Sequence, residues 1–281
     1  MADTALVTGA SGGIGLEISR VLAERGYDLI LVARNGEALE KISRELSEKY
    51  GVSARYYAMD LADTGSADSL YAKTGDVDIL VNNAGFGDYG LFHESDWNRL
   101  ESMIKLNDLT LAKMTYLYVR GMVSRRKGRV MNIASVAGFQ PGPYMSVYYA
   151  SKAFVLSLTE AVHEEIRKTG VTATAVCPGP VDTNFFRAAN AHPVFRRMKH
   201  ADPRKVALKS CRAMMKGKAV FIPGWTYKIA IFAERILPRF VLVRIFGRIQ
   251  KSRRWISESF YDTLMEKDVK SVYTATSVRR A

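Results

Sequence analysis

The chain has 281 residues, 48% hydrophobic and 25% charged, with Gly and Pro at ordinary levels; this excludes disordered, collagen-like and low-complexity classes and suffices for one large α/β unit. The net charge of +13 is unevenly spread, because residues 1–182 carry 19 Lys and Arg against 22 Asp and Glu, whereas residues 183–281 carry 22 against 6. Basicity is therefore a C-terminal property: it fits either a solvated basic surface or a polyanionic partner for that segment, such as anionic lipid, an acyl carrier or nucleic acid. Two cysteines, Cys177 and Cys211, exclude a disulfide framework or a four-thiolate metal site and fit a reducing compartment. The start, Met1-Ala2-Asp3-Thr4, has no basic stretch followed by an apolar run of about 7–15 residues, which predicts a chain that begins here and stays in the cytoplasm.

In chain order, apolar strand-like runs alternate with amphipathic stretches, and the first proline is Pro141. The pattern predicts strands near 4–8, 28–33, 53–59, 78–82, 129–134, 171–177 and 218–222, with helices starting near Gly13, Glu37, Ala62, Trp97, Ser146 and Pro203. Such alternation implies a parallel, doubly wound α/β sheet of the Rossmann type, with ligands at the carboxyl ends of the strands. No internal repeat or Ser/Pro-rich linker divides residues 1–224, which reads as a single domain followed by an extension over 225–281.

The first strand, Thr4-Ala5-Leu6-Val7-Thr8, runs into Gly9-Ala10-Ser11-Gly12-Gly13-Ile14-Gly15 and then a helix. Glycines there let the backbone turn tightly and approach a pyrophosphate, whose charge is met by N–H groups at the helix N-terminus; the reading takes glycine as required at 9, 12, 13 and 15 together. The spacing Gly9-x-x-x-Gly13-x-Gly15 resembles the short-chain dehydrogenase/reductase family. Further matches follow in order over residues 4–224: Asp60-Leu61 is similar to the family's adenine contact, Asn82-Asn83-Ala84-Gly85 to its Asn-Asn-Ala-Gly motif, and Pro178-Gly179-Pro180-Val181-Asp182-Thr183 to its nicotinamide-side loop. The resemblance implies cofactor contacts from Gly9, Ser11, Gly13, Ile14, Gly15, Asp60, Leu61, Asn83, Ala84, Gly85, Pro178, Gly179, Val181 and Thr183. The second strand ends Leu31-Val32-Ala33-Arg34, where an NAD-specific site usually offers a carboxylate to the ribose. A carboxylate repels the extra phosphate of NADP, whereas a guanidinium binds it, so Arg34 points to NADP.

Tyr148 and Lys152 form a Y-x-x-x-K pair, but with 14 tyrosines in the chain chance alone supplies about one such pair. Context gives it weight: Tyr148 lies 13 residues after Ser135, a spacing similar to the family's, and the offset puts Tyr148 and Lys152 on one helical face. An unperturbed phenol has a pKa of about 10. A nearby ammonium and the positive ring of an oxidised nicotinamide favour phenolate, which predicts a lowered pKa for Tyr148 as general acid or base in carbonyl–alcohol interconversion. Ser135 then donates to the carbonyl oxygen. The resemblance further implies that Lys152 contacts the nicotinamide ribose and that Asn107 holds a water linking the lysine to solvent. The four histidines form no helical metal-binding pair, and no metal is expected.

Residues 184–202 stand where the family carries its substrate lid, and Phe185, Phe186, Phe195 and Met198 either cover a lipophilic substrate or form the lid's own core. The stretch from Trp225 to Lys251 is apolar but interrupted by charges, so it contains no span of about 20 uninterrupted apolar residues. After Pro238, Leu242, Ile245, Phe246 and Ile249 share one helical face, with Arg244, Arg248 and Lys251 opposite. Such a helix packs on protein, on a second subunit, or on an anionic membrane surface through 225–251; nucleic acid is not expected. The extension is similar to that of extended bacterial short-chain reductases, some related to 3-oxoacyl reductases, which implies a hydrophobic ketone or acyl-chain substrate. The expected function is an NADP(H)-dependent oxidoreductase acting as a homodimer or homotetramer through the helices near 97–127 and 146–168. The rivals are a catalytically silent NADP-binding scaffold and a peripheral membrane lipid-handling module.

Overall fold

The computed structural model describes residues 2–189, 200–234 and 236–251. Seven parallel strands form one sheet in the order β3-β2-β1-β4-β5-β6-β7. They are β1 (Thr4–Thr8), β2 (Asp28–Ala33), β3 (Ala54–Ala58), β4 (Ile79–Asn82), β5 (Gly128–Ile133), β6 (Val171–Val176) and β7 (Val220–Phe221). The helices between them are α1 (Gly13–Ala23), α2 (Gly36–Tyr50), α3 (Ser66–Thr74), α4 (Trp97–Ile104), α5 (Leu111–Arg125) and α6 (Ser146–Ile166). A short α7 (Phe185–Ala188), then α8 (Pro203–Met215), α9 (Trp225–Glu234) and α10 (239–251) complete the chain.

The pleat explains why the central strands β1, β2 and β4 are apolar on both faces. Ala5, Leu29, Leu31, Ile79, Val81 and Met131 turn to one side, where Ile18 and Leu22 of α1, Leu39 and Leu46 of α2, and Cys211 and Met214 of α8 cover them. Their neighbours Leu6, Ile30, Val32, Leu80 and Val130 turn to the other side, under Leu70 of α3, Met114 and Tyr118 of α5, and Ile166 of α6. Each fully buried Leu or Ile contributes about 1.5–3 kcal/mol, so both layers hold the sheet.

β1 pairs with β2 on one side and β4 on the other, Ala5 lying opposite both Leu29 and Ile79. The chain therefore reverses its winding direction between β1 and β4, and their carboxyl ends diverge into a crevice, the general ligand site of such sheets.

Several boundaries differ from expectation for local reasons. α2 starts one residue early because the Asn35 side chain accepts from Ala38 N at 3.0 Å. α3 starts at Ser66 rather than near Ala62, because Asp60 and Ser66 side chains hold residues 60–65 in a turn. β7 is cut to two residues, the length over which Ala175 and Val176 offer partners. The long helix from Trp97 is interrupted by a wider π-type turn over Lys105–Thr110. Phe195 and Met198 of the expected lid lie outside the described residues, as does His192.

Candidate active site

The crevice opens into a cleft of about 420 Å³, within the range of small-molecule sites. Gly9, Ser11, Gly13 and Ile14 enter it from the β1–α1 turn, and Asn83, Ala84 and Gly85 from the end of β4. Ser135 follows β5, Tyr148 and Lys152 project from α6, and Pro178, Gly179, Val181 and Thr183 follow β6. A wider depression over α2, about 700 Å³, is lined by Glu37, Lys41, Arg44 and other charged side chains of one exposed helix face and brings no chemistry together.

Two glycines are dictated by close approach. Gly9 has φ +64°, and a Cβ on it would stand 2.7 Å from Asn83 Nδ2. A Cβ on Gly15 would stand 2.3 Å from Gly9 O, so Gly15 lies behind the turn and lets α1 pack on it rather than lining the cleft. Position 12 is different from expectation: Gly12 is extended at φ −178°, and a Cβ there would meet nothing within 4 Å. No protein atom requires glycine at that position. No side chain caps α1's first turn, which leaves backbone N–H groups for an anionic ligand.

Thr8 pins the two sides of the crevice together, a role the sequence reading missed. Its hydroxyl accepts from Asn83 N and Ala84 N, both at 2.9 Å, and donates to Val81 O at 3.3 Å, while Asn83 Nδ2 donates to Thr8 O at 2.9 Å. Asn82 turns inward instead, donating to Asn132 Oδ1 at 2.9 Å and Thr115 Oγ1 at 3.1 Å.

The ends of β2 and β3 carry Arg34 and Asp60 outside the cleft lining. Arg34 Nη1 stands 3.7 Å from Asp60 Oδ2, with the Arg34 side chain 78% exposed. Leu61 is buried in the sheet's second core, its carbonyl accepting from Ser66 and Thr110 hydroxyls.

Ser135 is buried, its Oγ accepting from Ala137 N at 3.1 Å and donating to Pro178 O at 3.4 Å. Lys152 is buried too, with Nζ donating to Ile133 O at 2.7 Å and standing 5.8 Å from the centroid of the Tyr148 ring. Phe185 of α7 packs its ring 5.3 Å from that of Tyr148, giving the cleft an aromatic wall. Burial pushes the Lys152 ammonium down to about 8, with Asp108 pulling it back up.

The protein groups alone do not produce the expected lowering of the Tyr148 pKa. Burial pushes the phenol above its ordinary value, and the neighbouring Ser135 hydroxyl pulls the other way. Desolvation outweighs any pull from the ammonium.

Asn107 sits in the π-type turn, its side-chain amide held by protein groups. Its Oδ1 accepts from Phe86 N at 3.2 Å, and its Nδ2 donates to Phe86 O at 3.0 Å and Ser151 Oγ at 3.1 Å. It braces Gly85, where a Cβ would lie 2.9 Å from Asn107 Oδ1 and 3.6 Å from Lys152 Nζ. Asp108 next to it was missed: burial raises its carboxyl to about 6, Lys152 draws it down, and Oδ1 is buried without a hydrogen-bond partner. The signal was its adjacency to Asn107, but only the π-type turn aims it inward. Among the described residues no cluster of His, Cys, Asp and Glu is arranged to hold a metal.

A family model of the short chain dehydrogenases matches residues 3–193. The chain belongs to the short-chain dehydrogenase family. It is an oxidoreductase of that family, whose members use NAD or NADP. Among curated relatives, this short-chain dehydrogenase is 31% identical over 251 residues to the very-long-chain 3-oxoacyl-CoA reductase of Bos taurus, covering 83% of this chain and 80% of that protein. The human very-long-chain 3-oxoacyl-CoA reductase is 37% identical over 193 residues, covering 66% of this chain and 61% of that protein. Among solved structures, a short-chain dehydrogenase from Sphingobium yanoikuyae in complex with NADPH superposes with a TM-score of 0.77 at 29% identity, covering 83% of this chain and 93% of that one.

Proposed function

We propose that this short-chain dehydrogenase is an NADPH-dependent reductase that converts a hydrophobic 3-oxoacyl thioester, or a ketone of similar character, to the secondary alcohol. The observation that carries the reading is the convergence of Ser135, Tyr148 and Lys152 in one cleft, with Phe185 against Tyr148. The names of the Bos taurus and human relatives support the 3-oxoacyl class.

The residues fit a dinucleotide. The glycine turn leaves room for a diphosphate at the uncapped start of α1, and Asn83, Ala84 and Gly85 border the same space. Arg34 would hold the ribose phosphate of NADP: its exposed pairing with Asp60 contributes little, so the guanidinium can turn to a phosphate. When bound, the cofactor supplies the hydride.

The protein supplies the proton and the setting for charge. Tyr148 Oη gives its proton to the developing alkoxide oxygen. A phenol kept protonated by burial suits that role, because an alkoxide is far more basic than a phenolate. Ser135 Oγ donates to the same oxygen, and the charged Lys152 stabilises the phenolate left behind. Asn107 keeps the Phe86 backbone and Gly85 beside Lys152. We further infer a reductase unit over 1–224, a lid over about 184–202, and a homodimer or homotetramer formed through α4 to α6. Leu109, Tyr116 and Phe154, exposed on these elements, support that assembly.

The test is NADPH oxidation with 3-oxoacyl-CoA thioesters of increasing chain length, with ketosteroids and small ketones beside them. Long-chain 3-oxoacyl-CoA is expected to turn over with NADPH in preference to NADH. Arg34→Glu is expected to lower kcat/KM for NADPH by about 10–100-fold, the worth of charge-assisted hydrogen bonds, and to leave NADH largely unaffected. Absence of turnover on every thioester, or an unchanged cofactor preference in Arg34→Glu, contradicts the reading.

A further inference from the structure

The basic C-terminal segment has no part in the reaction described above. Its inner side is fixed by contacts to the cleft. α9 buries Ile231 and packs Tyr227 on Gly179, where a Cβ would be only 2.4 Å from the Tyr227 ring. α10 buries Leu242 and Gln250; Gln250 Nε2 donates to Tyr149 Oη at 3.2 Å, and Tyr89 Oη donates to Gln250 O at 2.9 Å. This corrects the expected apolar face of α10: Leu242, Phe246 and Gln250 turn inward, whereas Ile245 and Ile249 are exposed at its edge.

What remains outside is unusually apolar. Nine of the sixteen large apolar side chains exposed among the described residues fall within 225–249. Trp225, Ile229 and Phe232 recur at helical spacing along α9 and are 73%, 58% and 67% exposed; Ile236 and Phe240 beyond it are 74% and 62% exposed. A patch of this kind marks a surface that meets something apolar. The same stretch carries Lys228, Arg235, Arg239, Arg244, Arg248 and Lys251 against a single acid, Glu234, whose carboxyl is raised by burial. Arg244 lays its guanidinium 5.8 Å from the centroid of the Phe240 ring, an apolar body with a cationic tip.

The occupant must therefore be both apolar and anionic. A second copy docking on this face by two-fold symmetry would bring two cationic surfaces together. A nucleic acid would leave Ile229, Ile236, Ile245 and Ile249 in water. No helix among the described residues is long and apolar enough to cross a membrane, which leaves a helical pair lying on one.

We propose that α9, the turn after it and α10 form a docking surface for an anionic lipid bilayer, inserting Trp225, Ile229, Phe232, Ile236 and Phe240 among the acyl chains while Lys228, Arg239, Arg244, Arg248 and Lys251 meet lipid phosphates. Because the inner side of the same helices holds Gly179 and Tyr149, which both line the cleft, docking brings the cleft to the lipid surface. The proposal does not depend on which carbonyl is reduced.

The experiment is co-sedimentation of the full-length protein, loaded with NADPH, with phosphatidylcholine vesicles and with vesicles one-third phosphatidylglycerol. Binding is expected to the anionic vesicles alone and to weaken as salt rises. The triple change Arg239→Gln, Arg244→Gln and Arg248→Gln should weaken it about a hundredfold, at about fivefold for each cation near the surface. Trp225→Ser with Phe232→Ser and Phe240→Ser should abolish it, with NADPH affinity and circular dichroism unchanged in both variants. Failure of the wild type to bind either vesicle, equal binding to both, or full binding by the serine variant overturns the proposal. So does a wild-type oligomer that the serine changes dissolve without lipid, which makes the face a protein interface. Retention on a single-stranded oligonucleotide in place of vesicles assigns the cations to nucleic acid and overturns it equally.

Discussion

The two sides of the cleft are built from different materials. The side under β1 and β4 is backbone and short polar groups: Thr8 Oγ1 holds Asn83 N and Ala84 N at 2.9 Å, and Gly15 exists because a Cβ there would meet Gly9 O at 2.3 Å. The side under α6 and α7 is aromatic, with Tyr148 and Phe185 rings 5.3 Å apart and Phe185 and Phe186 rings 5.5 Å apart. On the first side, positions such as Gly9 and Gly15 leave no room for a side chain, since spacing at the level of an ångström decides whether the turn forms. On the second, many apolar side chains fill the same volume, so the sequence determines character but not shape. The glycine turn and Asn83 stand on the first side, while Tyr148 and Lys152 stand on the second, beside the aromatic wall.

That contrast can be sharpened by substitution. After Tyr148, the largest effect is expected at Ser135, proposed to donate to the reacting oxygen. Ser135→Ala should lower kcat about 10²–10³-fold, the usual cost of one lost donor to a developing oxyanion, while NADPH affinity in a binding titration stays within twofold; a comparable loss of cofactor affinity would place Ser135 on the wrong side of the comparison. Gly15→Ala comes next, because the added Cβ meets backbone rather than a side chain that can move. Thermal or denaturant unfolding should show a loss of about 1–3 kcal/mol together with weakened NADPH binding, and an unchanged melting curve would contradict the packing argument.

The smallest effect is electrostatic. Lys152 is pushed down to about 8 and Asp108 raises it, so the ammonium is held below that pH and lost as pH rises through it. kcat/KM for NADPH, which reports the free protein, should fall with a midpoint near pH 8. Removing the negative charge in Asp108→Asn removes an influence that keeps Lys152 protonated, and the midpoint should move to lower pH. Below about pH 6, where Asp108 is itself protonated, the two profiles should converge. A midpoint that stays fixed or moves upward would show that Asp108 does not act on Lys152.

Much of the fold was legible because βαβ repetition writes itself as apolar runs, and the glycine series after β1 locates the crevice. The site residues around Ser135, Tyr148 and Lys152 were legible through order along the chain, not through any single motif. The rest was hidden for physical reasons. Nothing in Lys105-Leu106-Asn107-Asp108 marks a π-type turn, so neither the burial of Asp108 Oδ1 nor the bonding of Asn107 to Phe86 and Ser151 was visible. Thr8 looked like an ordinary strand end because its partners lie about 75 residues away. Lys152 alone does not lower the Tyr148 pKa, because a helical offset gives proximity but says nothing of desolvation, and burial is the larger influence in the protein. The inward face of α10 was misplaced by about a seventh of a turn, since Gln250, polar by type, is buried against Tyr149 and Tyr89.

The central claim, that Tyr148 delivers the proton, is tested most directly by single-turnover reduction of a long-chain 3-oxoacyl-CoA with NADPH already bound, comparing wild type with Tyr148→Phe. The variant keeps the ring against Phe185 and loses only the hydroxyl. The account predicts a rate lower by about 10²–10⁴-fold at unchanged NADPH affinity; a variant that reduces the thioester at the wild-type rate would contradict it.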